Sequence, residues 1–309
     1  MNKSRFAQVL LSTLALSFST SIFAANQCND IKMQTLGAGG PEINDGLASS
    51  SFLVWVQGKA RIMIDAGGGS EFNFEKSGAS FNDLQAILFT HLHVDHSAAL
   101  PAYIKAGFFT DRDKQLDIYG PNAGGSFPST TTFVSALFSN KQKSAYPYLA
   151  DNLHPQSSSD FLIKPHNIDP KNKIWQKKLA NNISISAINV THGPIPALAW
   201  RVDYGKCSVT FSGDMNGSSG NLPKLAKNTN LLVANNAIPE DAGRIAKRLH
   251  MTPSKIGQIA EKANVKKLAL AHFMLRSVNK TDETKTIIQK YYHHDAMLLK
   301  ELKRLSIAP

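Results

Sequence analysis

Four side chains able to ligate a metal, His91, His93, Asp95 and His96, fall within six residues directly after the apolar stretch 86–90. Imidazole nitrogens and carboxylate oxygens are the ligands zinc accepts where no thiolate is offered. A turn after a buried strand splays such side chains to two sides, so the run asks for a fold that delivers strand ends to one edge. One histidine in this place would read as a satisfied core or surface residue; four ligands together do not. They cannot complete two tetrahedral sites alone, so further His or Asp residues are expected after other strands. Three such places exist: Thr191-His192-Gly193 after 183–190, Ser212-Gly213-Asp214 after 208–211, and Ala271-His272-Phe273 after 265–270. Each by itself is an ordinary cap or turn; the recurrence of one context outweighs that reading.

Short apolar runs alternate with turn signals along the chain. Residues 31–36, 51–56, 61–64, 86–90, 116–119, 183–190, 198–203, 208–212, 231–234 and 265–271 read as strands. Residues 97–109, 252–263 and 281–303 read as helices, with Pro101 near a first turn where proline is tolerated. Strands in two blocks with helices between them predict an α/β fold of two sheets packed face to face, with helices outside. Segment 121–170 breaks the pattern, being rich in Ser, Pro, Asn and aromatics (Phe127, Phe133, Phe138, Tyr146, Tyr148) without a clean period. It is either a lid over a site or a surface excursion that only covers core.

Lys3 and Arg5 precede an apolar run at 9–23 that ends in Ala24 and Ala25, the pattern of a secretory signal peptide over 1–24. The run is interrupted by Ser and Thr and is short for a bilayer span, so a retained anchor is the weaker reading and no stable membrane insertion is expected after cleavage. No lipobox precedes Cys28. A periplasmic or secreted product follows, with 25–309 as a single domain. Loss of Lys3 and Arg5 takes the formal charge from +11 to +9, which favours anionic substrates unless Lys171, Lys173, Lys177 and Lys178 merely form a solvated face. Cys28 and Cys207 are the only cysteines. That excludes a thiolate zinc cluster and leaves two readings, one disulfide or two buried thiols.

The order of these motifs resembles the metallo-β-lactamase superfamily, whose His-x-His-x-Asp-His signature is matched without a gap by His91, His93, Asp95 and His96. Within it the chain looks most like the ribonuclease Z and phosphodiesterase branch. Leu36-Gly37-Ala38-Gly39-Gly40 and Ile64-Asp65-Ala66-Gly67 match two Gly-rich turns, while His250-Met251-Thr252-Pro253, Val265-Lys266-Lys267-Leu268 and Ala271-His272-Phe273 match the C-terminal block. The likeness covers nearly the whole mature chain. It implies an αβ/βα sandwich of two mixed sheets with helices on the outer faces. It implies further that His91, His93 and His192 hold one Zn²⁺ and Asp95, His96 and His272 a second, with Asp214 bridging; Mn²⁺ or Fe would suit the same donors. Two such ions lower the pKa of a bridging water from about 15.7 towards neutrality and clamp the attacked group's oxygens. Asp95 would orient that nucleophile. His250 would protonate the leaving group or contact the developing charge, a task suited to an imidazole of pKa about 6.5, rather than serve only as neighbour to the helix cap Thr252. Asp65 reads as a hydrogen-bonding support rather than a ligand. His154, His166, His293 and His294 fall in no motif and read as surface residues.

The likeness breaks in two places. Bacterial ribonuclease Z proteins carry a long basic arm that grips tRNA, whereas here Trp200-Arg201-Val202-Asp203-Tyr204 passes through Gly205-Lys206 directly into Cys207-Ser208-Val209. No tRNA partner is expected. Where the family supplies an acidic residue, this chain has Leu232-Val233-Ala234-Asn235-Asn236-Ala237. The expectation is therefore an exported dizinc hydrolase, a phosphodiesterase acting on a small anionic substrate such as a cyclic nucleotide or a short nucleic-acid fragment. Hydrolysis of a lactone, carboxylic ester or aryl sulfate ester is the alternative, suited by the aromatics of 121–170. A metal-binding protein without turnover stands outside both. A homodimer is compatible with the sequence.

Overall fold

The central strands of this chain are buried at nearly every position, so their two faces both demand cover. In chain order they are β1 (Ile31–Gly37), β2 (Ser51–Val56), β3 (Lys59–Ile64), β4 (Ala86–Leu88), β5 (Leu116–Pro121), β6 (Ile163–Ile168) and β7 (Trp175–Lys178). Then follow β8 (Ile183–His192), β9 (Ile195–Tyr204), β10 (Cys207–Phe211), β11 (Leu231–Asn235), β12 (Lys267–Ala271), β13 (Ala296–Leu298) and β14 (Arg304–Ser306). The computed structural model describes residues 28–139, 143–156 and 159–308. The expected signal segment 1–24 lies outside the described residues.

Two sheets result, one in the order β14-β1-β2-β3-β4-β5-β6 and the other β13-β12-β11-β10-β9-β8-β7. Each is antiparallel in one half and parallel in the other. Strand alternation explains the layering. Phe52, Val54 and Val56 of β2 face the other sheet, packing in one cluster with Trp200, Phe211 and Val233. Leu53 and Trp55 point outward, into a cluster with Ile104 and Val134 from helices Leu100–Gly107 and Thr130–Phe138. In β11, Leu231 and Val233 face inward while Leu232 and Ala234 meet Ile256, Ile259 and Ile288 of helices Pro253–Lys262 and Thr281–Gln289. Full burial stabilises by about 1.5–3 kcal/mol per large apolar side chain. The result is the expected αβ/βα sandwich.

Several elements depart from expectation. Instead of one helix over 281–303, the chain forms helix Thr281–Gln289 and then two short strands, β13 and β14. β13 extends the second sheet alongside β12, and β14 crosses back to pair with β1. Tertiary pairing thus overrides a helical composition that extends past Gln289. The stretch 97–109 is two helices, Val94–Ser97 and Leu100–Gly107, the second with proline in its first turn. In segment 121–170, Val134, Phe138 and Leu149 belong to the outer cluster of the first sheet. His166 sits in β6 with Nε2 2.8 Å from Asp117 Oδ1 and its ring stacked on Tyr119, so it is a built-in side chain rather than a surface one.

Cys28 and Cys207 form a disulfide, with Cα atoms 5.5 Å apart and 179 residues between them in sequence. It joins the entry to β1 with the start of β10, in the opposite sheet, and both residues are buried in the cluster between the sheets. Closing so long a loop removes much of the unfolded chain's freedom. A Cys28→Ser/Cys207→Ser protein should lose about 2–5 kcal/mol of unfolding free energy. Denaturant titration should also show that reductant lowers the midpoint of the parent chain and leaves that of the double variant where it is.

Candidate metal centre

Topology brings the ligand candidates to one edge. β8 and β10 both run antiparallel to β9, and β11 and β12 run parallel to β10, so the C-terminal ends of β8, β10, β11 and β12 lie together. His192 is the last residue of β8, Asp214 follows β10 and His272 follows β12. From the first sheet, β4 leads through Thr90 into His91 and the Val94–Ser97 helix that carries Asp95 and His96. The sheets are stitched there by Leu198 N–H donating to Thr90 O at 2.8 Å and Trp200 Nε1 donating to Phe89 O at 2.8 Å. Sharp turns aim the side chains. Gly213 has φ 56°, and a Cβ on it would lie 2.7 Å from Thr90 Cβ, so only glycine fits before Asp214. His272 itself adopts φ 56°, a conformation that costs a residue with a side chain about 1–3 kcal/mol and is found where a site demands it.

All seven residues singled out as ligands come together. The ligating atoms of His91, His93 and His192 lie within 4.8 Å of one another, as do those of Asp95, His96 and His272. Asp214 stands between the two groups: its Oδ2 is 3.7 Å from His192 Nε2 and 3.9 Å from His96 Nε2, and its Oδ1 is 3.3 Å from His272 Nε2. Asp95 Oδ2 is 3.2 Å from His272 Nε2 and 3.5 Å from His96 Nε2. The Nε2 atoms of His91, His96 and His192 are buried and lack any hydrogen-bond partner among the described residues. Burying polar nitrogens unpaired is costly, and a cation relieves it. A set of imidazole nitrogens and carboxylates without thiolate, divided in two groups about a shared Asp, fits two divalent ions.

Neighbouring groups hold these side chains. His96 Nδ1 meets Asp65 Oδ2 at 2.7 Å, and Asp65 also accepts from Thr90 N–H at 2.7 Å and Thr90 Oγ1 at 2.8 Å. A hydrogen bond at Nδ1 sets the tautomer that turns Nε2 towards a metal. His192 Nδ1 donates to Leu249 O at 2.8 Å in the same way. Asn235 Nδ2 donates to Asp214 Oδ1 at 2.8 Å. Thr90 and Leu249 were not singled out in the sequence. A threonine before the His run gives a weak signal, and Leu249 gives none, because it acts through its backbone carbonyl.

The charges agree with this arrangement. Burial alone would lower the pKa of His96, but Asp65, Asp95 and Asp214 around it raise it to about 10. Burial opposes ionisation of Asp95, yet His96 and His272 hold it at about 2. Asp214, likewise buried, is held well below the usual carboxylate range by His272, His96 and His250. The centre therefore keeps its carboxylates ionised and attracts positive charge. His250, at the end of helix Arg244–Leu249, has its ring 5.3 Å from His192 and Nδ1 3.6 Å from Asp214 Oδ2. Burial pushes its pKa down to about 4 against the pull of Asp214, helped by His272, His192 and Arg276. That lies below the ordinary imidazole value of about 6.5. Of segment 121–170, Phe127 reaches the centre, its ring 5.9 Å from that of His93.

The pattern of the metallo-beta-lactamase superfamily matches residues 44–254. Among sequence relatives is a ribonuclease Z from Mycobacterium sp. (strain KMS), 27% identical over 255 residues that cover 79% of this chain and 84% of that protein. Among solved structures, the metallo-beta-lactamase fold protein YhfI from Bacillus subtilis superposes with a TM-score of 0.69 at 18% identity, covering 89% of this chain and 98% of its own. The short form of human tRNase Z gives 0.65 at 19% identity, covering 89% and 99%. These two likenesses concern the fold.

If Asp65 orients His96 as its hydrogen bonds indicate, Asp65→Ala should weaken metal binding by about 10–100-fold. Competition against a chromogenic chelator measures this directly, and unchanged affinity would remove Asp65 from the account.

Proposed function

The chain belongs to the metallo-beta-lactamase superfamily, and on that premise we propose that it is an exported, two-zinc phosphodiesterase acting on small anionic substrates. The observation that carries the phosphodiester reading is His250, an imidazole beside Asp214 whose buried Nδ1 has no hydrogen-bond partner among the described residues. The name of a sequence relative, ribonuclease Z, supports it. His91, His93 and His192 would hold one ion and Asp95, His96 and His272 the other, with Asp214 shared. When bound, the pair supplies a water acidified towards neutrality and positive charge for the phosphoryl oxygens. The protein's own groups do the rest. Asp95, held ionised, is an acceptor only and orients the attacking water through one hydrogen bond. His250 is a donor: a neutral imidazole N–H hydrogen-bonds to the departing alkoxide or to a phosphoryl oxygen as charge gathers there. The two-residue turn Gly205-Lys206 between β9 and β10 leaves no room for an arm, so tRNA is not proposed as a substrate.

Export is supported by the leader-like residues 1–24 and by the Cys28–Cys207 disulfide, a bond that persists in oxidising compartments. A second reading, hydrolysis of an ester or lactone with an apolar group, is favoured by exposed aliphatic side chains on three segments that border the centre. Ile43 is 99% exposed, Val94 70% and Ile245 78%.

Purified protein loaded with zinc should hydrolyse bis(4-nitrophenyl) phosphate faster than an aryl ester or a lactone. Asp95→Ala should fall to background, and His250→Ala should lose about 10²–10⁴-fold while metal analysis still finds two equivalents. Faster ester or lactone turnover would transfer the proposal to the second reading. For export, N-terminal sequencing of the periplasmic or secreted product should begin at Ala25 or Asn26; an uncleaved cytoplasmic chain would sink that part.

A further inference from the structure

A cavity of about 550 Å³ is lined by Gly243, Arg244, Ile245, Ala246, Leu249 and Arg276. It borders the metal centre on two sides. Leu249 gives its carbonyl to His192 Nδ1 at 2.8 Å, and His250 is the next residue. Arg276 lies four residues after His272, close enough for its charge to act on His250. Its Nε donates to Ala237 O at 2.9 Å, which fixes the guanidinium plane.

Neither arginine is paired with a carboxylate among the described residues. Helix Arg244–Leu249 contributes no buried residue, so neither Arg244 nor Ile245 is there to fill the core. Both guanidinium groups are exposed and line one cavity beside a centre suited to cations, where they are free to take an anion. A guanidinium fork matches phosphate oxygens two at a time.

Resting on the phosphodiesterase reading, we propose that this cavity binds a second phosphate of the substrate, a terminal phosphate monoester one nucleotide unit from the scissile diester. Arg244 and Arg276 take its oxygens, while Ile245 and Leu249 line the path of the intervening sugar. The preferred substrates are then short nucleotide diesters with a phosphorylated end.

Binding can be read without turnover. Calorimetry on zinc-loaded protein would use a methylphosphonate-linked dithymidine carrying a 5′-phosphate, a 3′-phosphate or neither. One terminal phosphate should lower Kd by about tenfold or more, the effect of one good charge-assisted hydrogen bond. Arg244→Gln/Arg276→Gln should abolish that gain, and Arg244→Gln alone, on a helix with nothing buried, should remove part of it with folding intact. Lys177→Gln/Lys178→Gln, an equal change of charge on β7, should keep it. No gain from either phosphate, or a gain that survives in the double arginine variant, overturns the proposal. Turnover of bis(4-nitrophenyl) phosphate by the same preparation reports separately on the phosphodiesterase reading: turnover without a phosphate gain defeats the cavity alone, and a phosphate gain without turnover defeats only the reading.

Discussion

Thr90 is the knot from which the centre hangs. Its N–H and hydroxyl both donate to Asp65, its hydroxyl lies 3.1 Å from His91 Nδ1, and its carbonyl accepts the Leu198 N–H of the opposite sheet. The residue is fully enclosed, so any of these groups left unpaired would cost about 1–3 kcal/mol. That sensitivity makes the junction rigid. Through Asp65 the same hydrogen bonds reach His96, and through Leu198 they lock the first sheet's ligands in register with those of the second. A sandwich held only by apolar contact would tolerate small slips between its sheets. One carrying ligands from both cannot, because the two groups of donors must meet at a single Asp.

The apolar layers and the polar edge make opposite demands. Between the sheets, alternation of side chains produces a dry cluster that also encloses the Cys28–Cys207 bond. At the strand ends the same alternation leaves imidazoles and carboxylates buried, and several nitrogens there have no hydrogen-bond partner among the described residues. The packing energy of the sandwich, assisted by the disulfide, sustains this unfavourable concentration and the left-handed turns at Asp65 and His272. Metal affinity is the return on that strain.

Much of this was legible in the sequence, for a physical reason. A buried strand has a strict length and ends abruptly, so ligand residues after four apolar runs announce one shared edge, and the disposition of His91, His93, Asp95, His96, His192, Asp214 and His272 follows from it. Edge strands gave no such signal. β7, with sequence Trp-Gln-Lys-Lys, and β6, containing Pro165 and His166, are polar because a sheet edge faces water, and their composition reads as loop. β13 and β14 are three residues each, too short to show a period, and were masked by helix-forming neighbours. The depressed pKa of His250 was illegible for another reason: it depends on burial and on His272, His192 and Arg276, residues brought near only by folding.

One of the two asparagines that stand where an acid is expected bears on the charge of the whole centre. Asn235 presents an amide N–H to Asp214 Oδ1 at 2.8 Å. A carboxylate at that distance would face another carboxylate in a buried place, and the pair could not both ionise, so one would take up a proton. The amide avoids this by donating: it stabilises the charged form of Asp214 and adds no negative charge of its own. Asp214 then keeps its full charge for the six ligands around it. His250 Nδ1 lies 3.6 Å from Asp214 Oδ2, and burial outweighs that carboxylate to hold the imidazole pKa down to about 4. An amide at position 235 therefore favours the ionised form of Asp214 without adding a negative charge whose attraction would favour protonation of the neighbouring imidazole.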